Sequence, residues 1–533
     1  MNEVIFGHDA RDRVKKGITT VANAVRSTLG PAGRNVLIEQ DGDPFITNDG
    51  VRVARSVNLV DKYENLGAKL IQQVATQADE AAGDGTTTAT VLAQGILEAG
   101  LVLVERGANP IYLRTGIENA ATHITTRLKE MAKPVAKLEE LVNVANISSE
   151  DPEMGQVVAE IVEKIGKDGV VTIEQSPVFG FQKEFINGME TYGGFTSPFM
   201  MTDKVKGEAS LDDCHVCVTD KFLHESGEVF GLIRYASEHK KNLVIFALDF
   251  DYDVLEALML NHLANKIKVI CIKIGEINHE NVLADIAACV GARVVTKIQG
   301  ERLEEVDFDE CLGYATKITA DGLKTTISAL DSPRLKEHLA MLKNQLENDT
   351  EKKMTKSLER RIAKLTGGIA VVKIGAASEA ELRYMRHKLE DTINATQAAY
   401  EEGILPGGGV ALFRVATQLA KRYSLPELFQ NKEERDIRAG YNLMLEAAKR
   451  PLIQIVENAG RRKAKAVMSS ISGASELSFF GYDARHDEFV NMYHRGIIDP
   501  LKVTRSALEK AVSVAALVLT TEVVVTNVIE DLK

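Results

Sequence analysis

Apolar residues recur every three or four positions from the start of the chain. Val14, Ile18, Val21, Val25 and Leu29 fall on one face of a helix expected over residues 9–29, which Gly30-Pro31-Ala32-Gly33 stops. Residues 35–39 read as a strand. Helices then dominate residues 66–133. Leu70, Ile71, Val74, Ala78 and Ala81 mark one, Val91, Leu92, Ile96, Leu97 and Leu101 the next, and Pro134 breaks the pattern. In the middle the period changes. Residues 243–248 and 268–274 are short β-rich runs separated by a helical stretch, and a third run, 293–296, follows another helix. Such alternation predicts an α/β layer with parallel strands. Over residues 253–264 the apolar positions cover more than one stripe, so that helix is either sandwiched or partly exposed for binding. Leucines among dense charges over 334–365 predict two amphipathic helices around Asn348-Asp349. Helix returns over 378–400, another follows Gly407-Gly408-Gly409, and the last long helix is expected to start at Asp499-Pro500, aspartate as N-cap and proline at N1.

Composition narrows the class. At 533 residues the chain should hold two to four domains. A net charge of −12 argues against a general nucleic-acid binder and gives no polybasic surface for a membrane. The longest apolar run, at 511–519, is too short to span a bilayer. The N-terminus is too charged for a signal peptide, so a soluble, cytoplasmic protein is expected. Five cysteines, all between Cys214 and Cys311, do not form a disulfide framework. Cys214-His215-Val216-Cys217 has no second pair, so a reduced strand is favoured over zinc. Tryptophan is absent, which argues against recognition by aromatic stacking.

The most informative stretch is Gly83-Asp84-Gly85-Thr86-Thr87-Thr88. A glycine turn ends one helix and three threonines open the next, whose free N–H groups suit a phosphate. Asp84 places a carboxylate at the same spot, and carboxylate and polyphosphate repel unless a cation lies between them. A nucleotide with Mg²⁺ on Asp84 fits; a capped interhelical turn is the plainer alternative. No G-x4-GK[ST] occurs, so a P-loop fold is excluded. Hydrolysis needs a carboxylate to orient or deprotonate water, and Asp49, Asp84, Asp391 and Asp499 are candidates. Asp391 lies off the apolar stripe of its helix, and by pattern alone a solvated carboxylate is favoured. If the glycine loops at 30–33, 83–88 and 407–409 serve one nucleotide, the two ends of the chain fold together and the middle is a nested insertion. Gly193-Gly194 and Gly367-Gly368 would then be its hinges.

Four motifs in order, Thr28-Leu29-Gly30-Pro31-x-Gly33-Arg34-Asn35-Val36, Gly83–Thr90, Glu401-Glu402-Gly403-x-x-x-Gly407-Gly408-Gly409-Val410-Ala411-Leu412 and Asp499-Pro500-x-Lys502-Val503-Thr504-Arg505-Ser506-Ala507-Leu508, closely resemble the bacterial-type (group I, GroEL-like) chaperonins. The terminal thirds match closely and the middle loosely. The resemblance implies a multidomain α and α/β fold: a mainly helical equatorial domain (1–130 and 402–533), a small α/β intermediate domain (131–187 and 370–401) and an α/β apical domain nested as an insertion (188–369). It implies an ATPase, using ATP, Mg²⁺ and K⁺, that folds non-native polypeptide clients in the cavity of a homo-oligomeric ring, usually a heptamer. By position, Thr28, Leu29, Gly30 and Pro31 match the nucleotide loop. Asp84 matches the Mg²⁺ ligand, Gly85 its neighbour in the turn, and Thr86, Thr87 and Thr88 the phosphate contacts. Ser148, Gly408, Asp483, Ala484, Ile497 and Asp499 match base and ribose positions. Asp49 and Asp391 match the hydrolytic carboxylates. A K⁺ site would use Thr28, Asn48 and Thr87. The client groove would be Phe195, Phe199, Phe230, Ile233, Leu255, Met259, Leu260 and Asn261.

The chain also departs from that family. Asp483 stands where an asparagine is usual, which puts base contact there in doubt. The apical Pro-Gly-Phe-Gly stretch is replaced by Ile274-Gly275-Glu276-Ile277, and the Gly-Met-rich tail is missing. At the ring-to-ring surface Arg106, Val102, Ile453 and Arg462, flanked by Arg461 and Lys463, replace a small or complementary set. Like charges ~4 Å apart repel by about 1 kcal/mol in water and about 4 kcal/mol at a surface-like dielectric. A single ring, or a double ring that forms only in some nucleotide states, is expected. Such divergence suits a paralogue or a virus-encoded member. A GroES-like co-chaperonin stays an open partner, and a non-cycling scaffold or holdase is the alternative function.

Overall fold

The structure, a computed structural model, describes residues 2–40, 43–167, 169–186, 188–204, 206–275, 279–297, 301–329, 331–348, 354–422, 431–474 and 479–527. Glu276 and Ile277 of the altered apical stretch and the C-terminal Asp531-Leu532-Lys533 lie outside them. The chain divides into two compact units, Met1–Glu163 with Ala377–Lys533, and Lys164–Ala376.

The first unit is mainly helical. Helices Gly7–Arg26 and Lys62–Ala82 cross where both carry glycine: a Cβ on Gly17 would lie 1.7 Å from the Glu64 carbonyl oxygen, and one on Gly67 2.1 Å from that of Val14. Only glycine permits two helix backbones to approach this closely. The first helix ends three residues before the expected Leu29. Asn458 Nδ2 donates to the carbonyls of both Arg26 and Leu29, 2.9 Å each, so a tertiary partner takes the carbonyls that further helical turns would have used. Among the described residues one helix has the length and apolarity to cross a bilayer, and it is Thr86–Glu105, not the 511–519 run. Its most apolar window is 67 % buried within this unit, so it is a core helix. Leu501–Leu519 packs along it. The ends of the chain meet in an antiparallel pair of Asn2–Phe6 and Val523–Asn527. Leu138–Ser149 and Glu379–Glu402 also belong to this unit and pack on each other. The last long helix starts at Leu501. Asp499 and Pro500 lie instead in a short strand, Ile498–Pro500, paired with Ile404–Pro406, so Asp499 is not the N-cap.

The second unit carries a seven-stranded sheet. Its order is Gly188–Tyr192, Lys324–Ser328, Gly313–Ala320, Ala209–Val218, Asn242–Ala247, Val269–Lys273 and Gly194–Phe195. The expected parallel layer is its centre: Ala209–Val218, Asn242–Ala247 and Val269–Lys273 are parallel, and the other pairings are antiparallel. The expected strand at 293–296 is only an isolated bridge between Val295 and Thr219. The next two amides are taken by side chains, Thr296 N–H by Glu301 and Lys297 N–H by Asp220, so no ladder propagates. A smaller sheet joins Val170–Gln175, Ile369–Gly375 and Gly180–Ile186. All five cysteines are free and buried. Cys214 and Cys217 pair in regular register with Asn242 and Ile245. Three residues apart on a strand, they point to opposite faces and cannot share one ion. Burial pushes the Cys214 thiol up to about 12.

Helices Pro333–Asn348 and Thr355–Gly367 fill the region where two amphipathic helices were expected, and Asp349 lies outside the described residues. They are fixed to His279–Val290 by a buried ionic group. Asp285 accepts from Arg361 Nε at 2.9 Å and Nη2 at 2.7 Å and is 2.7 Å from His338 Nε2. Removing one partner strands the other's charge. Asp285→Ala is expected to destabilise this unit by about 3 kcal/mol. Urea unfolding followed by a probe placed in the unit measures the loss.

Candidate functional site

The turn between Lys62–Ala82 and Thr86–Glu105 is built on two left-handed glycines, Gly83 at φ 63° and Gly85 at φ 84°. A Cβ would strike Asn394 at the first (2.2 Å) and Val503 at the second (2.8 Å). Gly-x-Gly is therefore required on both conformational and steric grounds, and it delivers Asp84 beside the N-terminus of Thr86–Glu105. That helix has no side-chain N-cap, so its first amides are open to a ligand. The short helix Gly50–Ser56, capped by Asp49, abuts the same place: a Cβ on Gly50 would lie 2.3 Å from Thr87 Oγ1. Thr28 Oγ1 is 3.2 Å from Thr87 Oγ1, which joins the Thr28–Pro31 loop to this centre. Gly408 and Gly409, before helix Val410–Arg422, donate their amides to Asp499. That is the bonding which replaces the expected N-cap.

These elements enclose a cavity of ≈ 550 Å³, within the range of about 300–1,000 Å³ usual for cofactor-sized ligands. Every residue predicted for nucleotide, metal or hydrolysis lines it, from Thr28 to Pro31 through Asn48, Asp49, the Asp84–Thr88 stretch, Ser148, Asp391 and Gly408 to Asp483, Ala484, Ile497 and Asp499.

The electrostatics are unusual. Burial, then the carboxylates of Asp84, Asp49 and Asp79, pushes Asp391 up to about 9, and Lys388 opposes them. Burial also raises Asp84, against a bond from the Gly85 amide and the charge of Lys388. Asp499 is pushed up to about 6 by burial and by Asp84. Lys388 is itself 2.9 Å from Glu150, and Arg52 lies 3.6 Å from Asp49. Asp84, Asp391 and Asp499 are half-buried and have no ion-pair partner among the described residues, which leaves the site short of positive charge. The expectation of a solvated Asp391 is thus corrected. Leu389, Ile393 and Thr396 fill the core side of its helix, and Asp391 faces the cavity.

Asp483 is a second correction. It is 3 % exposed, and both its oxygens are taken. Oδ1 accepts from the amides of Arg485 (3.0 Å) and His486 (3.2 Å); Oδ2 lies 2.8 Å from His486 Nδ1 and 3.2 Å from Arg495 Nε. Burial works against its charge, but these bonds prevail and hold it below the usual carboxylate range. Asp483 therefore shapes the wall and has no oxygen left for a base. Periodicity did not single out Asp79, Lys388, Arg485, His486 or Arg495. The first two sit on long helices, off the apolar face, where charged residues are commonplace.

A model of the TCP-1/cpn60 chaperonin family matches residues 21–528. The chain belongs to that family. Two crystal structures of the chaperonin gp146 from the bacteriophage EL 2 (Pseudomonas aeruginosa), both in the presence of ATP-BeFx, have the same fold, with TM-scores of 0.74 and 0.69. Each is 22 % identical and covers 98 % of this chain and 99 % of its own.

In the second unit of this chaperonin, helices Gly227–His239 and Tyr252–Leu263 pack on each other. Val229, Leu232, Val254 and Leu258 face the core, while Phe230 (57 % exposed), Leu260 (62 %) and Phe199 (68 %) face solvent. Of the two readings of the 253–264 segment, partial exposure holds. Met259 is a correction: at 8 % exposed it belongs to the core and offers no adaptable surface. Phe195, Ile233 and Leu255 are half-buried against that core, and the Asn261 amide donates to the Ala257 carbonyl at 2.8 Å. Arg462 is also less free than its neighbours imply. Its Nε is 2.5 Å from Asp487, and its guanidinium lies 5.1 Å from the Phe489 ring centre. Arg106, Arg461 and Lys463 remain exposed.

Proposed function

We propose that this chaperonin is an ATPase whose turnover drives capture and folding of non-native polypeptides in a ring. The observation that carries the reading is one cavity with an uncapped helix N-terminus, glycine loops and a set of half-buried, mutually repelling carboxylates, a combination that suits a polyphosphate bound with a cation. The donor set fits Mg²⁺: Asp84 is a hard oxygen ligand whose charge burial disfavours and a cation would restore. K⁺ is assigned to Thr28, Asn48 and Thr87. Bound Mg²⁺ would supply charge screening between Asp84 and the phosphates. Thr86, Thr87 and Thr88 hold the phosphates through amides and hydroxyls, and the Thr28–Pro31 loop positions them. Ser148, Gly408, Ala484 and Ile497 border the base and ribose. Asp49 orients the attacking water and Asp391 takes its proton. Raised so far, Asp391 is protonated at neutral pH in the empty site, so it acts as a base only once added positive charge lowers it.

Clients would be held by burying their apolar surface on Phe199, Phe230 and Leu260. Segments 131–187 and 370–401 are assigned to an intermediate domain, 1–130 with 402–533 to an equatorial domain and 188–369 to an apical one. A heptameric single ring is the proposed assembly, supported by the exposed cations Arg106, Arg461 and Lys463. The test is refolding of a chemically denatured enzyme by this protein alone with ATP, beside Asp391→Ala. Recovery by the native protein and none by the variant is expected. Capture without release, and no ATP consumed in the same tubes, would leave a non-cycling scaffold.

A further inference from the structure

The cations that line the cavity have different partners. Lys388 is engaged by Glu150, and Arg495 by Asp483 and Glu488. Arg52 stands instead beside a carboxylate to which hydrolysis is assigned. Asp49 caps the helix Gly50–Ser56 with one oxygen, Oδ1 accepting from the Val51 amide at 3.0 Å, and turns the other, Oδ2, to Arg52 Nε at 3.6 Å. The Arg52 side chain is 28 % exposed, and its guanidinium lies over the Phe45 ring, 5.5 Å from the centre. Its far end meets the helix Glu379–Glu402, where Nη2 contacts His387 Nε2. An arginine has donors only, so His387 Nε2 is the acceptor. That places the ring proton on Nδ1, 3.3 Å from Glu390. His387 precedes Asp391 by four residues and shares its face of the helix, and both line the cavity.

A line of polar contacts thus runs Asp49–Arg52–His387–Glu390, from the helix capped by one hydrolytic carboxylate to the helix that carries the other. Attack by water needs the group that orients it and the group that takes its proton at a fixed separation, and a misplacement of about 1 Å can cost about 10²-fold in rate. A guanidinium suits that task because its planar fork holds two acceptors in set directions at once, whereas an ammonium is a single point charge. We propose that Arg52 is a positioning residue for hydrolysis, which sets Asp49 against the Asp391-bearing turn through its contact with His387. The proposal rests on the nucleotide reading of the cavity and adds to it a link between the two carboxylates.

Single-turnover ATP hydrolysis and calorimetric titration of ADP, both with Mg²⁺, test it on the full-length protein and on Arg52→Ala, His387→Ala, their double variant and His387→Gln. Each alanine variant is expected to hydrolyse ATP about 10–100-fold more slowly while its ADP affinity stays within about threefold of native. The double variant should be no more than about twofold slower than the worse single one, because the two side chains act through one contact. His387→Gln, which keeps an acceptor near the Nε2 position, should be at least about fivefold faster than His387→Ala. A loss under about tenfold in either alanine variant, losses that multiply in the double variant, or a glutamine variant as slow as alanine overturns the proposal, while hydrolysis by the native protein keeps the nucleotide reading intact. An equal fall in ADP affinity and in rate also overturns it, because Arg52 would then hold the nucleotide and not the carboxylates. A native protein that binds no ADP overturns both.

Discussion

Asp391→Ala is expected to bind nucleotide like the native protein and to hydrolyse it about 10²–10⁴-fold more slowly, the range for loss of a general base. The side chain is not needed to hold phosphate, because the amides of the Thr86–Glu105 helix and the Thr28–Pro31 loop do that. Single-turnover hydrolysis beside equilibrium binding separates the two effects. A variant with less than a tenfold loss would remove Asp391 from the chemistry. The same carboxyl carries a pH signature in the ligand-free protein. Its folded value, about 9, lies above that of an unfolded aspartate, so between about pH 4 and pH 9 the native state holds a proton that the unfolded state has lost. Unfolding free energy therefore falls as pH rises through that window. Asp391→Asn removes this contribution. Its melting temperature should exceed the native one at pH 8, by the equivalent of about 5 kcal/mol, roughly 1.4 kcal/mol for each of the four pH units crossed, and match it near pH 4. Equal melting curves at pH 8 would mean that the carboxyl is hydrated.

Asp84→Asn should divide the site's two ligands. With Mg²⁺ present, nucleotide affinity is expected to fall about 100-fold, roughly 2.7 kcal/mol, because the cation loses a charged oxygen ligand. With Mg²⁺ chelated, affinity should hold or rise, because a buried carboxylate no longer faces the phosphates. Titration of ADP in magnesium and in chelator gives both values from one preparation. Asparagine keeps the shape of the turn, so Gly83 and Gly85 still direct the chain as before. Equal losses in both buffers would mean that Asp84 holds the turn together and does not ligate the cation.

Both expectations rest on residues whose presence was legible but whose environments were not equally so. Asp84 was readable because its role follows from its immediate neighbours. Two glycines in left-handed geometry and a helix start are local facts, and the structure keeps them. Asp391 was not. On its own helix it is a polar residue off the apolar stripe, and its altered acidity comes from burial in the assembled site and then from Asp84, Asp49 and Asp79, more than 300 positions away in the chain. Asp483 likewise reads as a base contact by position, and only its bonds to His486, Arg485 and Arg495 withdraw it. Met259 matches the client groove by position, but its helix is apolar on more than one stripe, and the fold chose which stripe to bury.

By itself the sequence determined where the long helices run, where glycine must turn the chain, that the cysteines stay reduced, and that the motif-bearing ends belong to one chaperonin-like plan. Periodicity and positive-φ turns are enforced by neighbours within a few residues, so they survive in any tertiary setting. The tertiary structure alone decided that the first helix stops at Arg26, that 293–296 makes a single bridge, which carboxylates are buried together and which are already spent. Each of these depends on a partner supplied by a distant segment: Asn458 for the helix end, Glu301 and Asp220 for the lost strand, Asp84 for Asp391. The energy of a charge or an orphan carbonyl is set by whatever the fold brings within a few ångströms, and that proximity is not written in the local pattern.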